Sequence, residues 1–244
     1  MPRGRIHGAT AMVQPVSDAL LRVLGGRAAI LHGDPCVLDR WLWVRRWLRG
    51  PGLRTLDAGS GNGGFAFYAS RCGNPTTGLS LSPMEVATAE RRARLLGMDD
   101  VGFRCCDLRE LDAHATSLGM FDQILCLEVA EHIRDDAKLL RDLADLLRPG
   151  GRLLITTPDL AHRPLWTDTL SANEDGGHVR WGYTPDAMAQ LITEAGLRVL
   201  AQERIAVSCP NGSRTSCVAH RRFTPWLAGR SSSRCGRSKY LTAR

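Results

Sequence analysis

A regular alternation of short apolar runs with helical patterns is the feature that most constrains the fold of this chain. Six runs have the length and composition of buried strands, and four segments between them carry apolar residues at helical spacing. The predicted strands are Arg54–Asp57, Thr76–Leu81, Val101–Cys106, Phe121–Leu127, Arg152–Thr157 and Leu197–Ile205. The predicted helices are Phe65–Ser70, Pro83–Leu96, Asp135–Leu147 and Pro185–Ala195. This order predicts an α/β fold with a mostly parallel central sheet and helices on both faces.

The segments on either side of this region differ from it. Residues 1–50 are predicted to be helical, with a short helix at Ser17–Gly25 and a longer one that begins after Asp34-Pro35. The alternating domain is assigned to residues 51–206. Residues 207–244 show neither helical nor strand periodicity and are rich in Ser, Arg, Cys and Gly. They are predicted to form a disordered basic tail or to be unrelated to the domain.

The excess of positive over negative charge lies in that predicted tail. The whole chain has 32 Lys and Arg against 25 Asp and Glu, a net charge of +7. The last 38 residues contain seven Arg, one Lys and no acidic residue, which leaves the rest of the chain close to neutral. Because a total charge says nothing about where the charge lies, the basicity alone does not predict a nucleic-acid partner for the domain.

The cysteines and the apolar runs indicate the compartment. The chain has eight cysteines, and Cys105, Cys106 and Cys126 lie in strand-like runs, as is typical of buried thiols under reducing conditions. The sequence has no Cys-x-x-Cys spacing and no Cys/His cluster of the zinc-binding type, so no metal site is predicted. No apolar run approaches the ~18–20 residues of a membrane span. These features predict a cytoplasmic protein, with a short mitochondrial-type presequence as the alternative.

A glycine-rich loop follows the first predicted strand and leads into a helix. It reads Thr-Leu-Asp-Ala-Gly-Ser-Gly-Asn-Gly-Gly over residues 55–64. Glycines allow the backbone to turn tightly and to approach a ligand, and the helix that follows offers free N–H groups. Gly59, Gly61 and Gly64 also satisfy the dinucleotide pattern G-x-G-x-x-G. The loop alone leaves open a dinucleotide site, another nucleotide-like site or a purely structural turn.

Three motifs together distinguish these interpretations. They are the loop D-x-G-x-G-x-G, the run Phe-Asp-Gln-Ile-Leu-Cys-Leu-Glu-Val-Ala-Glu-His-Ile over residues 121–133, and the turn Leu-Arg-Pro-Gly-Gly over residues 147–151. In order and spacing they resemble the class I S-adenosylmethionine-dependent methyltransferases, over about residues 53–205. The resemblance implies the Rossmann-like fold of that class and S-adenosylmethionine as the cofactor.

The resemblance also assigns cofactor-binding roles to the positions that match the family. For the acidic residues among them, capping a turn or supporting a loop is the alternative role. The positions implied for the methionine end are Asp57, Gly59, Gly61 and Gly63, those for the adenine are Asp107 and Leu108, and those near the sulfonium are Leu127 and Glu128.

Ser80 departs from the pattern of this family. The family usually carries Asp or Glu at the end of the second strand, where the carboxylate binds both ribose hydroxyls. Ser80 can make one such hydrogen bond but not the pair, so weaker or altered cofactor binding is expected. Similar Leu-Ser or Leu-Thr motifs in methyltransferases of the cyclopropane-synthase type show that the change need not abolish binding. The absence of an acid at this position argues more strongly against a dinucleotide cofactor, because that acid normally binds the ribose 2′-hydroxyl.

Two histidines are candidates for a general base, which methyl transfer to a hydroxyl requires. His132 follows the fourth strand, and His178 lies in a polar loop, residues 174–184, before the last predicted helix. The structural alternative is that His178 and Arg180 pin the loop, and Thr184 is predicted to cap the helix. The motifs around both histidines resemble small-molecule O-methyltransferases, including the ubiquinone-biosynthesis type.

The leading hypothesis is therefore O-methylation of a small molecule, sugar or lipid-linked intermediate, with N- and C-methylation left open. A non-catalytic S-adenosylmethionine-binding module and an RNA-directed methyltransferase anchored by the tail are the alternatives. Base-directed enzymes often carry an Asn/Asp-Pro-Pro-aromatic motif after strand four. This chain reads Leu-Glu-Val-Ala there, over residues 127–130, which argues against a nucleic-acid acceptor. The sequence does not define the acceptor or the oligomeric state.

Overall fold

The computed structural model describes residues 36–161, 169–205 and 214–221, together with Leu21 and Val23. Most of the predicted helix Ser17–Gly25 and the predicted helix start Asp34-Pro35 lie outside the described residues. Within the described ranges, no helix has both the length and the apolar character needed to cross a membrane.

Six α-helices and seven strands make up the described part of the chain. The helices are α1 (Cys36–Trp47), α2 (Gly64–Arg71), α3 (Pro83–Leu95), α4 (Leu111–Leu118), α5 (Asp136–Asp145) and α6 (Pro185–Glu194). The strands are β1 (Thr55–Ala58), β2 (Thr76–Ser80), β3 (Val101–Cys105), β4 (Phe121–Leu127), β5 (Leu147–Pro158), β6 (Leu197–Ile205) and β7 (Arg214–Arg221). Short 3₁₀ turns cover Leu108–Glu110 and Ala130–His132.

All seven strands form one sheet in the order β3-β2-β1-β4-β5-β7-β6. Strands β1 to β5 are parallel, and β7 runs antiparallel to both of its neighbours. The strand order reverses between β1 and β4, so their carboxyl ends open a crevice of the kind in which α/β folds bind ligands. The predicted α/β fold with a mostly parallel sheet is confirmed.

Strand β7 corrects the domain boundary drawn from the sequence. Residues Arg214–Arg221 were assigned to the disordered tail, yet they lie inside the sheet, paired with β5 on one side and β6 on the other. Residues 215–219 are buried. A strand covered on both faces has no polar–apolar alternation, and this one is rich in small and polar residues, which hid it from periodicity. The rest of the predicted tail lies outside the described residues.

The sheet separates two apolar layers. One layer packs α4, α5 and α6 against alternate residues of the central strands, such as Ile124 and Ile155. The other layer packs α1, α2 and α3 against the intervening residues, such as Leu125 and Leu154. Trp43 of α1 is buried in this second layer.

Candidate active site

A cavity of about 310 Å³ opens at the carboxyl ends of the parallel strands. Most of the positions predicted from the sequence line it, and four do not. Those that line the cavity are Gly59, Gly61, Ser80, Asp107, Leu108, Glu128 and His132. Among the others, Asp57 and Leu127 are buried beside it, Gly63 packs against aromatic side chains, and His178 contacts His132.

The three glycines of the loop differ in what surrounds them, although all have positive φ. A Cβ on Gly59 would lie 2.3 Å from Val129 Cγ2, and one on Gly63 would lie 2.8 Å from the ring of Phe103. A Cβ on Gly61 would meet no atom closer than 4.0 Å. Gly59 and Gly63 therefore allow the loop to pack, whereas Gly61 keeps the wall of the cavity open.

Asp57 places a buried carboxylate beneath the glycine loop. Its side chain is 3% exposed, and burial raises its pKa from 3.8 to about 7, although a hydrogen bond from Ala66 N–H opposes this shift. Oδ2 has no hydrogen-bond partner among the described residues. Since buried carboxylate oxygens are normally paired, this atom fits a donor from a ligand, such as the ammonium of S-adenosylmethionine.

The corner of the cavity at the end of β2 contains a carboxylate that the sequence prediction missed. Ser80 Oγ donates a hydrogen bond of 2.6 Å to Glu85 Oε2, and Glu85 also lines the cavity. Ser82, the N-cap of α3, accepts from Glu85 N–H at 3.3 Å and fixes the start of the helix. This corner therefore contains an acid, which belongs to helix α3 and not to the strand end.

The carboxylate of Asp107, which was predicted to bind adenine, forms hydrogen bonds within its own turn. Its Oδ1 accepts from Arg109 N–H at 3.0 Å, and the guanidinium of Arg109 binds both carboxylate oxygens. The hydrogen bond from Arg109 holds the pKa of Asp107 below its usual value. The capping role that the sequence left as the alternative is present. Leu108, which follows it, is buried at the cavity wall.

Glu128 turns the chain sharply at the end of β4. It has φ of 58°, the one positive value for a non-glycine residue in the described ranges. Its N–H donates to Thr156 O, and its Oε1 accepts from Thr156 Oγ1, both at 2.9 Å. A left-handed conformation is unfavourable for such a residue and concentrates at functional sites. These bonds to β5 hold Glu128 against the cavity.

His132 and His178 meet edge to face, with ring centroids 4.7 Å apart. His132 Nδ1 lies 3.1 Å from the carbonyl oxygen of Gly177. Because a carbonyl only accepts, Nδ1 carries the proton, and in the neutral ring Nε2 keeps its lone pair. Glu131 is fully buried, and its Oε1 lies 4.0 Å from that nitrogen.

The same groups have a spacing that a metal ion could use. One ligand atom each from Glu131, His132 and His178 lies within 4.8 Å of the others. No metal spacing was visible in the sequence because His178 is distant from the other two, and only the folded loop brings it to them. The structure thus permits two roles for this cluster, proton transfer and cation binding.

The loop before α6 is held by Arg180 and Tyr183. Arg180 pairs with Asp136 and donates to the carbonyl oxygens of Ile133 and Arg134 at 2.9 and 2.7 Å. Tyr183 Oη also contacts Asp136, at 2.7 Å. The predicted pinning role of Arg180 is present, as is the N-cap of Thr184.

The family assignment follows from comparison with known proteins. The family model described as "Methyltransferase domain" matches residues 31–202. A ubiquinone biosynthesis O-methyltransferase of Xanthomonas oryzae pv. oryzae is 36% identical over 131 residues, 52% of this chain and 51% of that protein. The chain therefore matches about half the length of this curated relative.

Solved structures show the same fold. The [4+2]-cyclase SpnF aligns with a TM-score of 0.61 and 18% identity, covering 86% of this chain and 96% of its own. The Burkholderia thailandensis 1,6-didemethyltoxoflavin-N1-methyltransferase, with bound S-adenosylhomocysteine, aligns with a TM-score of 0.58 and 21% identity, covering 91% and 94%. Because the family model also matches residues 31–202, the chain belongs to the class I S-adenosylmethionine-dependent methyltransferases.

Proposed function

We propose that this chain methylates a hydroxyl oxygen of a small molecule, sugar or lipid-linked intermediate. The observation that carries the proposal is the 3.1 Å contact of His132 Nδ1 with the carbonyl oxygen of Gly177, which places the proton of the neutral ring on Nδ1; His132 itself lines the cavity. The remaining nitrogen, Nε2, is a base that can take the proton of an acceptor hydroxyl. The carboxylate of Glu131 lies 4.0 Å from Nε2, close enough to pair with the imidazolium that results.

The chain's own residues would hold the cofactor around the open wall at Gly61. Asp57 offers an unpartnered acceptor beneath the loop, and Leu108 offers an apolar surface for a base. S-adenosylmethionine, when bound, supplies a methyl group on a sulfonium. Methyl transfer is an in-line displacement, so the work of the protein is to align the acceptor and exclude water.

The comparisons support this acceptor class without fixing it. The curated relative is named an O-methyltransferase, whereas one structural neighbour is an N-methyltransferase and another a cyclase. Within the described part of the chain, the side chains that line the cavity include no Phe, Tyr or Trp, which argues against the stacking of a flipped base there. We therefore keep a nucleic-acid acceptor and a non-catalytic binding module as outcomes of the test, and we propose the cytoplasm as the location.

The test is an acceptor panel read by mass gain of one methyl, with phenols, glycosides, amines and a short RNA. Replacing His132 or His178 by Gln is expected to lower turnover about 10²–10⁴-fold, the usual contribution of a general base. Affinity for S-adenosylhomocysteine should be unchanged, and the exposed His114→Gln variant serves as the control. Unchanged rates in both variants would contradict the assignment.

A chelator separates the two roles of the histidine cluster. If His132 acts as a base, turnover should survive EDTA. If the cluster of Glu131, His132 and His178 holds a cation, EDTA should abolish turnover and a divalent metal should restore it. Calorimetry with S-adenosylmethionine tests the non-catalytic alternative, which requires binding without turnover on every acceptor.

A further inference from the structure

The contact between Ser80 and Glu85 is not explained by the family pattern, which places an acid at Ser80 itself. Glu85 lies in the first turn of α3, and Ser80 ends β2, so the carboxylate reaches the strand end from the neighbouring helix. We propose that Glu85 is the carboxylate that binds the ribose diol of the cofactor, and that Ser80 positions it. The inference rests on the cofactor assignment made above.

The hydrogen bonds of α3 show that Glu85 is not used as a helix cap. Ser82 and Glu85 have the spacing of a capping box, in which the Glu side chain binds the N–H of the Ser. Here the N–H of Ser82 donates instead to Ser80 Oγ, at 3.2 Å. Ser80 therefore accepts the N–H hydrogen bond that the Glu85 side chain would accept in a capping box. The carboxylate of Glu85 is left facing the cavity.

The hydrogen bonds that Ser80 already makes leave it at most one lone pair for the diol, which has two hydroxyls. A hydroxyl has one proton to donate, and Ser80 gives it to Glu85 Oε2. The two ribose hydroxyls are donors that need acceptors. Glu85 Oε1 has no hydrogen-bond partner among the described residues, and a Cβ built on Gly61 would lie 4.0 Å from it. The free oxygen and the open wall of the glycine loop thus border the same space.

The other acidic groups of the cavity are already engaged. Asp107 binds Arg109, Glu128 accepts from Thr156, and Glu174 accepts from Arg134 N–H at 2.6 Å. Glu85 also lies near the end of β2, the place at which an acidic residue binds the ribose in this type of fold. Its position and its available carboxylate oxygen therefore both identify Glu85 as the group that binds the ribose.

Calorimetry with S-adenosylhomocysteine and its 2′,3′-dideoxy analogue tests the proposal. Glu85→Gln is expected to weaken binding of S-adenosylhomocysteine about 10- to 100-fold, the range for a lost charged hydrogen bond. It should bind the dideoxy analogue as tightly as the wild type does. Glu90→Gln, on the same helix but outside the cavity lining, is the matched control and should change neither affinity.

A rescue variant gives a second, independent readout. The double variant Ser80→Asp with Glu85→Ala moves the carboxylate back to the strand end and should recover most of the affinity that Glu85→Ala loses. The proposal is overturned if Glu85→Gln binds S-adenosylhomocysteine like the wild type, or if it weakens both ligands equally. A wild-type chain that binds neither ligand would instead refute the cofactor assignment, and this proposal with it.

Discussion

The two edges of the parallel sheet, at the amino ends and at the carboxyl ends of its strands, differ in how fully their buried polar groups are hydrogen-bonded. At the amino edge, Gln123 is fully buried, accepts from Arg49 N–H, and donates to Arg49 O and Thr55 Oγ1. Asn74, also fully buried, accepts from Leu53 N–H and donates to Arg49 O. Each side-chain amide is thus used to bind the segment between α1 and β1 to the sheet.

At the carboxyl edge, buried or half-buried carboxylates are left with free oxygens. Asp57 Oδ2 is unpartnered within the described chain, and Glu85 Oε1 has no hydrogen-bond partner there either. An unpaired buried polar group lowers stability unless something else binds it. The amino edge thus uses its buried amides to hold the fold together, whereas the carboxyl edge leaves acceptor oxygens available to a ligand.

The largest effect is expected from removing the strand that both edges depend on. A chain that ends at Ile205 lacks β7, which fills the place between β5 and β6, and should not unfold cooperatively in urea. A matched chain that ends at Arg221 keeps the strand and should show a cooperative transition by circular dichroism. Cooperative unfolding of the shorter chain would mean that the sheet is stable without β7.

At the amino edge, Gln123→Leu is expected to lower the free energy of unfolding by about 2–4 kcal/mol, because its partners lose buried hydrogen bonds. Affinity of the folded protein for S-adenosylhomocysteine should not change. Urea denaturation and calorimetry measure the two quantities, and the exposed Gln190→Leu variant is the control. If Gln123→Leu lost affinity for S-adenosylhomocysteine but kept its free energy of unfolding, the two edges would not differ in the way described.

At the carboxyl edge, Asp57→Asn is expected to reverse this pattern. The folded pKa of Asp57, raised to about 7 from 3.8, means that the folded chain holds a proton that the unfolded chain releases. Wild-type stability should therefore fall as pH rises from about 4 to about 7, and Asp57→Asn should lack that contribution. Above pH 7 the variant should be more stable by about 2–4 kcal/mol, yet bind the cofactor less tightly.

Urea titrations across pH 4.5–8 and calorimetry check this prediction. The exposed Asp99→Asn variant is the control and should keep the wild-type pH profile. Parallel stability curves for wild type and Asp57→Asn would show that the carboxylate is not desolvated in the folded state.

The smallest effect is expected at Gly61. Gly61→Ala and Gly97→Ala introduce a Cβ at φ of 49° and 61°, and neither meets an atom closer than 4.0 Å. Both should therefore lose about 1 kcal/mol of stability through backbone strain alone. Only Gly61→Ala should weaken S-adenosylhomocysteine binding, since only Gly61 lines the cavity. Equal affinity in the two variants would place the ligand away from the loop.

The sequence determined the elements whose signals are local. Six strands and five of the six described helices followed from hydrophobic period and from Gly and Pro at their ends. The glycine loop followed from its position between β1 and α2. Helix α4 was missed. It is short, and only its two terminal residues, Leu111 and Leu118, are buried, so it carries too few apolar positions for a period to show.

The tertiary structure decided what depends on contacts between distant segments. Strand β7 is fixed by hydrogen bonds to β5 and β6 rather than by its own pattern, because a fully covered strand of small residues has no period to read. His178 meets His132 only in the folded chain, in which Arg180 also joins this loop to the turn after β4. Glu85 comes within hydrogen-bond distance of Ser80 because helix α3 begins beside the end of β2. Local composition specifies elements, whereas a binding site is made of side chains that only folding brings together.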